Sequence, residues 1–257
     1  MAVSLYKGGK IVGIIKIDGV IDDSSTERWL SVIEDAQKDK RVKAVIVDIN
    51  SPGGGVTSSL KLYLALKKLR QDKPVVALLE SVAASGGYLV ACGADKIIAY
   101  PSTITGSIGV ISGNINVAQA MKKLGLKPFI VKSGKYKDVG SPFREQTEED
   151  RKSLQVVVNS IFDEFVNIVS ESRNLNKKYV LKYADGSIWT GTGAREMGFV
   201  DGTGGIEEAK KTAVKLSGLK RKPSFVYLNK KINFIERILE SVVNFQFFFD
   251  NFFIFSF

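Results

Sequence analysis

The stretch "VKAVIVDINSPGGGV", Val42 to Val56, decides the fold of this 257-residue chain. Its first part, Val42 to Ile49, is apolar and rich in β-branched residues, which is typical of a strand buried on both faces. Ser-Pro-Gly-Gly-Gly ends that strand, and a helical pattern begins a few residues later. A buried strand that leads through a glycine turn into a helix predicts a parallel sheet with helical crossovers.

The flanking sequence repeats this alternation of strand and helix. Apolar runs at Ile11 to Ile17 and Pro74 to Glu80 predict two more buried strands, with amphipathic helices at Ser24 to Asp39 and Ser58 to Gln71 between the strands. Further along, the pattern predicts strands at Lys96 to Tyr100 and Lys127 to Lys132, helices around Val117 to Leu124 and at Thr147 to Ser172, and two short helices within 191–218. The fold class is therefore α/β, with a mostly parallel sheet and flanking helices.

The composition changes only near the C-terminus. We expect one α/β domain over residues 1–218 and an extension over 219–257. In the extension, Lys231 to Phe245 has the apolar spacing of an amphipathic helix, and Asn244 to Phe257 is strongly aromatic. So many aromatics need a covering surface, either another subunit, a membrane interface or the chain itself.

Composition excludes several classes of chemistry. The chain has no histidine, which excludes a Ser-His-Asp triad and histidine-ligated metal sites, and its one cysteine, Cys92, excludes cysteine-rich metal sites. We expect no metal and no cofactor. The net charge of +10 is spread along the chain, so we expect no nucleic-acid partner. No run approaches the ~20 apolar residues of a membrane span, and no N-terminal signal sequence is expected.

Two loops at strand ends carry the candidate chemistry. In "ESVAASGGYLVACGAD", Glu80 to Asp95, a strand ends and a helix begins near Ser85. A serine at such a junction is commonly only a helix cap. However, the N–H groups of Gly86 and of Gly54, in the neighbouring glycine loop, would form the two donors of an oxyanion hole beside it. Together the loops predict acyl transfer with Ser85 as the nucleophile.

A nucleophilic serine needs a base, and without histidine the common solution is a lysine kept neutral by burial. "FIVKSGKYKDVGSPFRE", Phe129 to Glu145, offers Lys132, Lys135 and Lys137 in one loop. The residues alone do not choose among these three lysines.

Four motifs, in order, resemble the signal peptide peptidase A (protease IV) family of serine peptidases: "NSPGGGV", "VAASGGYLVAC", "TGSIGVI" and "SGKYKDVGSPFRE". The resemblance covers roughly residues 10–218. It implies that Ser85 is the nucleophile, that Lys137 is the general base, and that Ser107 holds the amine of Lys137. Lys132 and Lys135 then have no catalytic role.

The resemblance also implies a ClpP/crotonase-like fold, a homo-oligomeric ring, and hydrolysis of hydrophobic peptides such as remnant signal peptides, with peripheral membrane contact. Many members begin with a transmembrane anchor that this sequence does not show, so the expected location is open between the membrane and the cytoplasm. Two other functions are compatible with the fold: a crotonase-type acyl-CoA enzyme, which would not need a serine at position 85, and a non-catalytic assembly protein. The simultaneous presence of Ser85, Ser107 and Lys137 argues against the second.

Overall fold

The structure, a computed structural model, describes residues 9–229. The strands are β1 (Ile11–Asp18), β2 (Val42–Ser51), β3 (Val75–Ala84), β4 (Lys96–Ala99), β5 (Ile104–Gly106), β6 (Ile188–Thr190), β7 (Gly202–Thr203) and β8 (Ser224–Tyr227). The helices are α1 (Asp23–Lys38), α2 (Val56–Leu69), α3 (Gly86–Ala91), α4 (Ala118–Lys123), α5 (Glu148–Arg173), α6 (Lys177–Tyr183), α7 (Gly191–Glu196) and α8 (Ile206–Ser217).

The eight strands form one sheet. Six of them follow the order β6-β5-β3-β2-β1-β8, and β4 pairs with both β3 and β7. The sheet's pairs are parallel except for β5 with β6. On one face, the central strands bury alternate apolar residues against Ala209 and Ala213 of α8. These pairings confirm the predicted α/β class with a mostly parallel sheet. The helices are required because strands of a parallel sheet are buried on both faces.

Strand β3 has an irregular register just before its end. Ile49 of β2 pairs with Leu79, but Ser51 pairs with Ala83, so residues 80–82 form a bulge in the pairing with β2. The Val82 N–H donates instead to Oδ1 of Asn50, at 3.3 Å. Bulges of this kind bend a strand and change the direction of the chain beyond it, here the residues that lead into α3.

The described chain divides into two compact units. The larger unit comprises residues 9–109 and 163–229, and the smaller comprises residues 110–162. Among residues 9–229, no helix is both long and apolar enough to cross a membrane.

One sequence prediction differs from the structure in this region. The strand predicted at Lys127 to Lys132 is wrong, because the segment is neither strand nor helix and exposes Phe129 and Val131 rather than pairing them. The predicted extension from residue 219 contributes β8 to the main sheet, paired with β1. The predicted helix over residues 231–245 and the aromatic tail lie outside the described residues.

Candidate active site

Ser85 occupies a strained turn between β3 and α3. Its backbone has φ 52° and ψ −121°, a region that costs a non-glycine residue about 1–3 kcal/mol. Its N–H donates to the Gly106 carbonyl at 2.9 Å, and its own carbonyl accepts the N–H of Leu89 at 2.9 Å. A serine on a sharp strand-to-helix turn is the arrangement in which α/β hydrolases present a nucleophile.

The glycine loop after β2 is held open by the segment that comes after β1. The Ile21 N–H donates to the Gly53 carbonyl, and the Gly55 N–H donates to the Ile21 carbonyl. Gly54 lies between them at φ 157°, where a Cβ would collide with the Ile21 carbonyl and lie 2.8 Å from the Ile21 nitrogen. Among the described residues, the Gly54 N–H has no hydrogen-bond acceptor, so it is available to a ligand.

Gly86, the first residue of α3, brings the serine turn against the glycine loop. A Cβ on Gly86 would lie 3.3 Å from the Gly53 Cα and would collide with the side chain of Ser59. The N–H groups of the first helical turn have no acceptor within their helix. The structure therefore brings the two loops into contact, as an oxyanion hole made from Gly54 and Gly86 requires.

Ser107 lies at the end of β5, beside Ser85. Ala84 of β3 pairs with Gly106 of β5, so the two serines come directly after paired residues. Ser107 also has a positive φ of 51°, and the described non-glycine residues with positive φ are Ser85, Ser107 and Asn174. Two of these three are residues that the sequence motifs single out, and strained backbone of this kind concentrates at functional sites.

Lys137 belongs to the smaller unit, and its local surroundings distinguish it from the two neighbouring lysines. Lys132 forms an ion pair with Asp138 at 2.7 Å, and Lys135 forms one with Glu149, which raises the pKa of Lys135. Within residues 9–229, the Lys137 ammonium has no ion pair or hydrogen bond. Lys137 is exposed in the single chain, whereas a lysine base would need burial.

An ionic network fixes the loop on the C-terminal side of Lys137. Arg144 lies 2.9 Å from Asp138 and 2.5 Å from Asp150, and the Asp150 carboxylate accepts the Thr147 N–H at the start of α5. Hydrogen bonds from Arg144 and then Lys132 lower the pKa of Asp138 to about 2. The carboxylates therefore stay ionised at neutral pH, and the loop is anchored to α5.

The sequence interpretation missed a carboxyl pair where β2 meets β3. The Asp48 side chain is almost fully buried, lies beside Glu80, and is 3.7 Å from the Lys16 ammonium. Burial, then the charge of Glu80, raise the pKa of Asp48 to about 6, and Lys16 opposes the rise. The one sequence signal for this pair was Asp48, the single acidic residue in the otherwise largely apolar strand "VKAVIVDI".

Because Asp48 holds its proton to higher pH in the folded chain than in the unfolded chain, ionising it costs stability. That cost is absent below about pH 4, develops between pH 4 and 6, and is complete above pH 6, where it is ~1–3 kcal/mol. We expect Asp48→Asn to raise the melting temperature at pH 8 relative to wild type, by more than at pH 4.5. Thermal unfolding at both values measures this.

Lys16→Met should have the opposite effect on stability and serves as the companion variant to Asp48→Asn. Removing the cation should lower stability at pH 8, where Asp48 is ionised, and change it little at pH 4.5. Equal effects of Asp48→Asn at both pH values would contradict the assignment.

Within residues 9–229, no cluster of three or more potential ligands could hold a metal ion. Cys92 is buried, and burial raises the pKa of its thiol to about 11, which makes it a poor nucleophile at neutral pH.

Comparison with solved structures defines the fold. The chain superposes on a membrane-bound stomatin-specific protease, solved as a serine-to-alanine mutant, with a TM-score of 0.59 and 16% identity over 87% of this chain and 100% of that one. The sequence pattern of Clp proteases matches residues 6–105. The fold is therefore ClpP-like.

The family is then defined by sequence. The pattern of peptidase family S49 matches residues 67–220, and the chain belongs to this family. It is 40% identical over 204 residues, 79% of its length, to a candidate protease of Methanocaldococcus jannaschii. It is 37% identical over 80% of its length to a candidate signal peptide peptidase of Enterococcus faecium, and 32% identical over 83% to protease 4 of Salmonella typhi. It spans 66%, 64% and 36% of these relatives' own lengths.

Proposed function

We propose that this chain is a serine endopeptidase that hydrolyses peptide bonds through a Ser85–Lys137 dyad. The observation that carries the proposal is the strained Ser85 turn in contact with the glycine loop, in a member of peptidase family S49. Lys137 is the favoured base because Lys132 and Lys135 are engaged in ion pairs. Ser85 belongs to the larger unit and Lys137 to the smaller unit.

In the proposed reaction, the Ser85 hydroxyl attacks the scissile carbonyl while the neutral Lys137 amine takes the hydroxyl proton. The N–H groups of Gly54 and Gly86 donate to the oxyanion of the tetrahedral intermediate. When the C–N bond breaks, the Lys137 ammonium returns the proton to the leaving amine. Water then attacks the acyl-Ser85 ester, with the same amine as base, and releases the acid product.

The substrates we propose are hydrophobic peptides, including remnant signal peptides, and the support is of two kinds. The relatives from Enterococcus faecium and Arabidopsis thaliana carry the names signal peptide peptidase SppA and serine protease SPPA. In addition, the smaller unit exposes Ile111, Phe129 and Val131 almost completely in the single chain. Apolar side chains of this size need a peptide, a membrane surface or another subunit to cover them.

We also propose assembly into a homo-oligomeric ring, in line with the ClpP-like fold. A neighbouring subunit or a bound peptide would supply the low-polarity surroundings that Lys137 needs to lose its proton, because the single chain leaves this residue exposed.

A fluorophosphonate probe tests the proposal directly, because such probes phosphonylate only an activated serine. We expect labelling at Ser85, identified by peptide mass spectrometry, and loss of labelling in Ser85→Ala. Full labelling of Ser85→Ala at another serine would reject the assignment. No labelling of the wild-type oligomer would favour the acyl-CoA or assembly alternatives.

Ser107→Ala should have a smaller effect than loss of the nucleophile. If the Ser107 hydroxyl only orients the amine of Lys137, its removal should lower kcat by ~10² to 10⁴-fold, the range of a general acid–base contribution. Steady-state hydrolysis of a fluorogenic apolar peptide measures this, with Ser102→Ala, on the exposed turn before β5, as the matched control. An unchanged kcat would remove Ser107 from the mechanism.

A further inference from the structure

Residues 185–189, which the motifs do not include, lie against Ser107 and against Gly106, whose carbonyl accepts the Ser85 N–H. The segment leads into β6, which pairs antiparallel with β5: Thr105 pairs with Trp189, and Gly106 with Ile188. It is therefore the direct neighbour of the strand that ends just before Ser107.

Two backbone hydrogen bonds from this segment flank Ser107. The Ser107 N–H donates to the Ser187 carbonyl at 2.7 Å, and the Gly186 N–H donates to the Ile108 carbonyl at 3.2 Å. Ser107 has a positive φ, and such a conformation persists only where its surroundings determine it. The segment supplies this support on both sides of the residue.

The Trp189 ring provides a second contact, one residue earlier. Gly106 has φ 84°, and a Cβ on it would lie 2.8 Å from Cε3 of Trp189, so the ring packs directly on the Gly106 backbone. The carbonyl of Gly106 accepts the N–H of Ser85. Trp189 thus contacts the residue that precedes Ser107 in the chain and that is hydrogen-bonded to Ser85. The Trp189 ring also packs on Phe199, with ring centroids 4.7 Å apart.

Asp185 closes the turn. Its Oδ1 accepts the Ser187 N–H at 2.9 Å, and hydrogen bonds from Ser187 lower the pKa of Asp185. The carbonyl of the same Ser187 accepts the Ser107 N–H. Asp185 therefore holds Ser187 in place, and Ser187 in turn holds the backbone of Ser107.

We propose that residues 185–189 form a positioning clamp for catalysis, in which Asp185 and Trp189 are positioning residues that hold Ser107 in its strained conformation. This inference rests on the proposed function, and it adds residues that neither the motifs nor the comparisons assign.

The test is a double-mutant cycle between Trp189 and Ser107. Misplacing a catalytic group by about 1 Å can cost ~10²-fold, so Trp189→Ala should lower kcat by ~10 to 100-fold with little change in KM. In a Ser107→Ala background, the same substitution should cost at most a few fold more, because the group that it positions is already gone. Trp189→Phe, which keeps a ring on Gly106, should restore most of the activity.

Tyr179→Ala is the matched control. Tyr179 packs on the same Phe199 ring, with centroids 6.4 Å apart, but has no contact with Gly106. It should lower thermal stability as much as Trp189→Ala does and leave kcat near wild type. A loss of kcat equal to that of Trp189→Ala would overturn the clamp, as would multiplicative effects of Trp189→Ala and Ser107→Ala.

Asp185 gives a milder test if Trp189→Ala does not fold. Asp185→Ala should lower kcat, whereas Asp185→Asn keeps an acceptor for the Ser187 N–H and should preserve it. Equal kcat in the two variants would overturn the role of Asp185.

If Ser85→Ala still hydrolyses peptides, the proposed function fails, and the clamp is then judged by crystal structures alone. The φ of Ser107 should leave the positive region in Trp189→Ala or, if that variant does not fold, in Asp185→Ala, and retention of the wild-type φ there would overturn the clamp independently of activity.

Discussion

Ser85→Ala and Lys137→Ala should each abolish peptide hydrolysis, and the double variant should be no worse than either single variant. A nucleophile and its base act as one unit, so removing the second after the first costs nothing more. The expected loss is at least ~10⁴-fold in kcat, leaving only binding and the oxyanion donors. Peptide turnover of purified oligomer, with circular dichroism to verify folding, measures this.

Lys132→Ala is the matched control, because it removes a lysine of the same loop that is engaged with Asp138. It should keep substantial activity. The pH–rate profile supplies a second check: wild-type turnover should rise towards alkaline pH, since a lysine works as a base only when neutral. Near-normal turnover in Lys137→Ala, or a rate that does not change from acid to neutral pH, would contradict the dyad.

Gly54→Ala should lower kcat by ~10² to 10³-fold, the usual cost of losing an oxyanion donor. A methyl group at this position collides with the Ile21 backbone, which cannot move aside as a flexible side chain could. The glycine loop must therefore shift and take the Gly54 N–H with it. The variant should also lose thermal stability, since overpacking typically costs about 1–3 kcal/mol.

Gly113→Ala is the control for Gly54→Ala. A Cβ on Gly113 has no atom within 4 Å, and its φ is not positive. This variant should keep both the stability and the activity of wild type. Wild-type kcat in folded Gly54→Ala would exclude Gly54 as an oxyanion donor.

The sequence was most informative where a local pattern has one structural solution. Val42 to Ile49 is apolar on both faces and could only be a buried strand, and residues 147–172 carry the cap and spacing of the helix found at Glu148–Arg173. The junction at Ser85 was also predictable, because small residues come directly after a strand there. These features depend on neighbours in the chain.

The parts that the sequence did not reveal depend on distant contacts. "KPFIVK" has the composition of a strand, but among the described residues no strand pairs with it, and composition cannot show whether a partner is present. The strained φ of Ser107 rests on Ser187, which is far away in sequence. The raised pKa of Asp48 likewise depends on its burial in the folded sheet and on Glu80, from another strand.

The larger unit is discontinuous, and this has a consequence for biosynthesis. A ribosome completes residues 9–109, with Ser85 and Ser107, and then residues 110–162, before it reaches 163–229. The segment at 185–189 and strand β6 therefore emerge after the nucleophile, the proposed base and the glycine loop have all been made. If the proposed mechanism and clamp hold, a nascent chain carries both serines before the segment that contacts Ser107 is made, and hydrolytic competence would arise only after residue 189 has been translated.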